Sequence, residues 1–159
     1  MKTCLRTAIC ALLALTALTA QLADKKAITL ELAKNIAAAA EKSAAANKWT
    51  MVITILDDGG NLILLQRMDD TQVGSVEVAI QKARSAIFFK RPTKVFEDAV
   101  AGGRTAILKL PNALPVEGGV PITVEGKIIG AIGVSGGTSA QDGQVAQAGL
   151  EALPPPVRK

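Results

Sequence analysis

The sequence predicts a mixed α/β domain of the α+β kind, an antiparallel sheet flanked by helices. Two observations carry this. Runs of strand character occur in two pairs, each joined by a short turn of residues that favour reversal, as hairpins require. Stretches with helical periodicity stand at both ends of the body and between the hairpins, where they can cover the sheet. No internal repeat or interdomain linker divides the 159 residues.

Residues 1–20 read as a secretory leader. Lys2 and Arg6 form a basic start, and Ala8–Leu18 is an apolar run too short to span a bilayer. Ala20 is a plausible cleavage point. The expectation is a periplasmic or secreted protein with no stable membrane anchor after cleavage, one domain over residues 24–153 and a tail over 154–159. Cleavage removes both cysteines, Cys4 and Cys10, so neither a disulfide nor thiol chemistry is expected. It also takes the basic count from 18 to 16 against 14 acids, a net charge of +2. That balance does not suit nucleic acid, which needs basic clusters and stacking aromatics.

Histidine and tyrosine are absent. Without His or mature-chain Cys, structural zinc and Ser-His-Asp or Cys-His catalysis are excluded. Acid–base work would fall to Asp, Glu or Lys. No catalytic constellation stands out.

Thr29 suits an N-cap, and Leu32, Ile36, Ala39, Ala40 and Ala44 recur at helical spacing, predicting a helix over about Leu30–Ala46. Trp49–Leu56 and Leu62–Arg67 flank Asp57-Asp58-Gly59-Gly60-Asn61, a hairpin. Turn chemistry explains Asp57 and Asp58 better than a cation site does. From Ser75 a helix carries an apolar stripe of Val76, Ala79, Ile80, Ala83 and Ile87. Ser75, Lys82, Ser85 and Phe89 share another face, and Pro92 closes the helix. Thr93–Ala101 predicts a short helix ended by Gly102-Gly103.

The organising stretch is Glu117–Asp142, with strands over Val120–Glu125 and Lys127–Val134 around Glu125-Gly126-Lys127. Gly130 and Gly133 mark a bulge or a close approach. Ser135-Gly136-Gly137 feeds a helix near Ser139. Such a turn either serves reversal alone or offers N–H groups to an anion. Ser139-Ala140-Gln141-Asp142 matches a capping box, which would explain Asp142, with a role in binding as the alternative. Val145, Ala148, Gly149, Ala152 and Leu153 give the last helix its apolar face, and Pro154-Pro155-Pro156 ends it.

The segment GGVPITVEGKIIGAIGVSGGTSAQD, with Arg67-Met68-Asp69-Asp70 and AIQKARSA at Ala79–Ala86, resembles the GlcG/HbpS family of haem-binding or haem-degrading proteins. The same domain forms the C-terminal part of PduO-type proteins. The resemblance spans Thr29 to Leu153. It implies a profilin-like five-stranded sheet, homo-oligomers and haem as the cofactor. The apolar fraction of 49% agrees with buried subunit contacts.

A haem site needs apolar walls and cations or N–H donors for the propionates. Phe88 or Phe89 could supply wall, and Arg67, Lys82, Arg84 and the Ser135–Thr138 turn could meet carboxylates. For an axial ligand only Met51, Met68, a lysine or a weak oxygen donor is left, and Met51 reads as core. The expected haem binding is therefore weak, pentacoordinate or non-specific. A second function is a small enzyme or binder for an organic acid, with Glu117, Gly118, Gly119, Arg67, Lys82 and Asp142 in one cleft. Lys82 is otherwise a solvated or helix-end charge. A third is an oligomer that modulates a protein partner at the cell envelope. The candidate ligand site is Arg67, Lys82, Phe89, Glu117, Gly118, Gly119, Ser135, Gly136, Gly137 and Asp142. It requires the Gly-lined bend and the Lys82 face to meet in one hollow.

Overall fold

The computed structural model describes residues 25–153, so the leader and the tail lie outside the described residues. The elements in chain order are α1 (Leu30–Ala46), β1 (Val52–Asp57), β2 (Leu62–Arg67), α2 (Ser75–Phe89), α3 (Lys94–Ala101), a 3-10 turn (Thr105–Lys109), β3 (Gly119–Val124), β4 (Lys127–Ser135) and α4 (Ser139–Leu150). Among the described residues no helix is long and apolar enough to cross a membrane.

The strands form an antiparallel sheet in the order β2-β1-β4-β3. It has four strands among the described residues, not the five that the family resemblance implies. The stretch between α3 and β3 instead makes the 3-10 turn and further turns through Pro111 and Pro115. Proline has no N–H for a ladder, so this stretch is poorly suited to a central strand.

Helices α1 and α4 pack on each other and cover one face, sealing Ile36, Ile53, Ile55, Ile122, Ile132, Val134 and Val145 into the main core. Ala33, Ala37, Ala40 and Ala44 let α1 lie close to its neighbours. Thr29 caps it as predicted, its Oγ accepting from Leu32 N–H at 3.2 Å. Asp57 closes the β1–β2 turn by accepting from the N–H groups of Gly59 and Asn61, each at 2.8 Å.

Helix α2 lies on the other face, and its buried side reverses an expectation. Ser75, Lys82 and Ser85, grouped by the sequence as a face apart from the apolar stripe, are buried together with Ala79, Ala83 and Ala86. The sheet explains this. Gly119 and Gly133 are cross-strand partners, and both face α2. A Cβ on Gly133 would overlap the Ala79 carbonyl, and one on Gly119 the Lys82 carbonyl. The paired glycines form a slot that takes the helix backbone itself, so short polar side chains are enclosed.

The last helix also starts differently. Its cap is Thr138, one residue before the predicted box. Thr138 Oγ accepts from Gln141 N–H at 3.4 Å, and Gln141 Oε1 accepts from Thr138 N–H at 2.9 Å. The box therefore closes on Gln141, and Asp142 is free to turn elsewhere.

Candidate functional site

The Gly-lined bend and the Lys82 face do meet, and what they make is a closed ion pair. Lys82, 1% exposed, reaches Asp142, 3% exposed, with Nζ to Oδ2 at 2.6 Å. Nζ also donates to the Val134 carbonyl at 3.0 Å. Val134 N–H donates to Gly118 O at 2.9 Å, just before β3 begins. On the same side of an antiparallel strand the carbonyl needs a donor too, and the ammonium provides it where no strand N–H does. The lysine is thus neither a solvated charge nor open to a ligand.

The other carboxylate oxygen of Asp142 accepts from Gly137 N–H at 3.0 Å. Of the two readings of the Gly136-Gly137 turn, reversal alone or N–H groups offered to an anion, what stands against Gly137 N–H is the chain's own carboxylate. Burial pushes the Asp142 carboxyl above its ordinary pKa, opposed by the Lys82 ammonium and by the N–H groups of Gly137 and Gly136. Gly118, at φ +125°, lies against the pair, and a Cβ there would stand 2.9 Å from both Lys82 Nζ and the Asp142 Cβ. Only glycine fits both the backbone and the space.

The remaining predicted residues divide between this knot and other places. Ser135 donates to Ser75 Oγ at 3.2 Å and is buried at the start of α2. Gly136 packs on Thr50 and Met51. Gly119 is clamped by Thr93, whose Oγ accepts its N–H at 2.9 Å while Thr93 N–H donates to Gly119 O at 2.9 Å. Glu117 N–H donates to the Glu97 carboxylate, and the Glu117 side chain covers Gly143. Glu117, Gly118 and Gly119 line a cleft of about 230 Å³ with Lys94, Asp98 and Gln147, and Lys82 lies sealed beneath its floor. Arg67 is exposed on edge strand β2, in one row with Val52 and Ser135, two strands from the knot. Phe89 lies elsewhere, edge-on to Phe96.

Two further recesses have ligand chemistry, and of the predicted residues only Phe89 lines either of them. One, of about 480 Å³, lies between the end of α2 and the β3–β4 turn. Ile87 and Ile128 wall it, and Lys90, Lys127, Gly126 and Asp58 complete it. Lys25 holds Asp58 at 2.5 Å, while Lys90 and Lys127 form no ion pair among the described residues. The other, of about 220 Å³, is lined by Phe89, Arg91, Phe96, Arg104 and Ile107 with neighbouring apolar groups. The run Phe88-Phe89-Lys90-Arg91 was the available sequence signal for both, because helix α2 ends inside it and sends successive residues to different sides. Among the described residues no group of three or more His, Cys, Asp or Glu is placed to hold a metal ion.

A family model described as "Haem degrading protein HbpS-like" matches residues 28–151. Protein GlcG of Escherichia coli K12 is 44% identical over 111 residues, covering 70% of this chain and 83% of that protein. The crystal structure of HbpS is similar with a TM-score of 0.78 at 30% identity, over 87% of this chain and 98% of that one. PduOC, solved as a haem complex, has a TM-score of 0.73 at 28% identity, over 80% of this chain and 96% of that one.

Proposed function

The chain belongs to the HbpS-like family, and from that premise we propose that it is a haem-binding protein which receives the porphyrin between the end of α2 and the β3–β4 turn. The observation that carries the reading is the likeness to PduOC solved with haem, which extends over nearly all of that chain. The recess at Ile87 and Ile128 supports the placement. Its volume of about 480 Å³ lies within the ~300–1,000 Å³ usual for sites that enclose a sizeable organic ligand.

The fit of the group is partial, and the pattern of the fit is informative. Ile87 and Ile128 offer apolar contact to the macrocycle, and Lys90 and Lys127 offer two ammonium groups to two propionates. Among the described residues there is no His, Tyr or Cys to serve as a strong axial ligand. Met51 is fully buried and Met68 packs against the same core, so neither sulfur serves the recess. The oxygen donor there, Asp58, is engaged by Lys25. Bound haem would supply an iron centre open to exogenous ligands. The chain's own residues hold the porphyrin by its faces and its carboxylates, and none of those lining the recess is a histidine or tyrosine able to pass a proton at the iron.

Export and self-assembly belong to the same proposal. They rest on the leader pattern of residues 1–20 and on the family resemblance. The mature protein would meet haem outside the cytoplasm, as a homo-oligomer.

Titration of haemin into the purified mature protein tests the reading. A saturable shift of the haem absorption band at a defined stoichiometry is the expected result. An unsaturable drift, equal to that given by serum-free buffer with detergent, would overturn it.

A further inference from the structure

We infer that the recess between the end of α2, α3 and the 3-10 turn is a second ligand site, built for a small molecule with a flat apolar body and one carboxylate. It rests on residues other than those proposed to hold haem.

The walls come first. Phe96 and Ile107 are buried, and the Phe89 and Phe96 rings meet edge to face with centroids 5.2 Å apart and planes at 77°. An edge-to-face pair presents the electron-rich face of one ring and the polarised edge of the other, which suits another flat ring. Val95, Ala99 and Leu110 complete the apolar lining, so six of its eight residues are apolar. The other two are Arg91 and Arg104, and among the described residues no acid lines the recess.

The arginines set the charge of the ligand. Arg91 lies over the Phe96 ring with its guanidinium carbon 5.8 Å from the centroid. Its Nε donates to the Phe89 carbonyl at 3.0 Å, which fixes the plane of the group. The four N–H groups on its two terminal nitrogens form the donor fork that matches a carboxylate. Arg104 stands at the start of the 3-10 turn and forms no ion pair among the described residues. Two guanidinium groups beside an aromatic wall, with no lining carboxylate to neutralise them, are complementary to one anion joined to one apolar group.

Size sets the class. The recess holds about 220 Å³, below the ~300 Å³ at which sites enclosing drug-sized ligands begin. A single or fused aromatic ring with a carboxylate fits that space, and a whole porphyrin does not.

Calorimetric titration of the mature protein with phenylacetate and 1-naphthoate, each beside its neutral primary amide, tests the inference. The acids should bind saturably, and their amides about tenfold or more weakly, the value of a charged hydrogen bond. Arg104→Gln should weaken the acids by a similar factor and leave the amides unchanged, with Tm retained. Arg91→Gln provides a second variant should the first disturb the 3-10 turn, and Lys94→Gln, which does not line this recess, should behave as wild type. Acids and amides of equal affinity, acid binding undiminished in both arginine variants, or no saturable binding up to about 10 mM would each overturn it. Haemin titration is read separately, so loss of either site leaves the other measurable.

Discussion

Lys82 Nζ lies 2.6 Å from Asp142 Oδ2 in the interior, joining α2 to the first turn of α4 around the end of the sheet. Neither group has solvent to fall back on. Removing one partner from such a pair typically costs about 3–5 kcal/mol, whereas replacing both with apolar groups of similar volume is often neutral. Lys82→Met and Asp142→Leu should each lower stability by about that amount, and the double variant should recover most of the loss. Chemical denaturation of the three proteins measures it, and strictly additive losses would show that the two charges do not depend on each other.

The slot formed by Gly119 and Gly133 gives a steric prediction. Gly133→Ala places a methyl group into the Ala79 carbonyl and should cost about 1–3 kcal/mol, the usual range for overpacking. Gly74→Ala is the matched comparison. Its backbone is helical, at φ −60° and ψ −26°, and a Cβ there meets nothing within 4 Å. Thermal denaturation should place that variant within about 0.5 kcal/mol of wild type.

The same slot shows where the sequence stops being legible. Helix α1 with its Thr29 cap, the Asp57–Asn61 turn and the pairing of β3 with β4 depend on neighbours a few residues away, and they follow the predicted pattern. The Lys82–Asp142 contact joins residues 60 apart, so no local period reports it. A lysine among Ala79, Ala83 and Ala86 was the available signal, since small residues invite a close partner. Ser75, Lys82, Ser85 and Phe89 read as one face that meets the Gly-lined bend; what that reading lacks is the closure, a buried ion pair in place of an open hollow. The Arg91–Arg104 recess depends on how α3 and the 3-10 turn fold back, which composition does not encode. The fifth strand came from likeness to other proteins, and the sequence itself offered only four runs of strand character.

The position of the last helix's cap separates two registers that differ by one residue. Thr138→Ala removes the side chain that accepts from Gln141 N–H and should cost about 1 kcal/mol. Ser139→Ala, at the first helical position, should be close to neutral. Equal losses from the two substitutions, measured by urea denaturation, would contradict the Thr138 cap.

Asp57 gives a pH dependence. The Asn61 side chain, above all, and the N–H groups of Asn61 and Gly59 hold its carboxyl below its ordinary 3.8. A carboxyl with a depressed folded pKa stabilises the fold above the unfolded value, and that contribution is lost as pH falls through the folded one. Asp57→Ala should therefore be less stable than wild type by about 1 kcal/mol at neutral pH, with the gap narrowing below pH 3.8. Urea midpoints of both proteins across that range test it, and a gap that widened in acid would reverse the sign.

The haemin affinity of a Lys90→Gln, Lys127→Gln double variant, followed at the haem absorption band, most directly tests the reading of this protein as a haem binder. Both lysines are exposed, so the fold should be retained. Removing the two ammonium groups of the lysines that line the Ile87–Ile128 recess should weaken binding by about tenfold or more and flatten its dependence on salt. An affinity equal to that of wild type would place the porphyrin elsewhere and contradict the assignment.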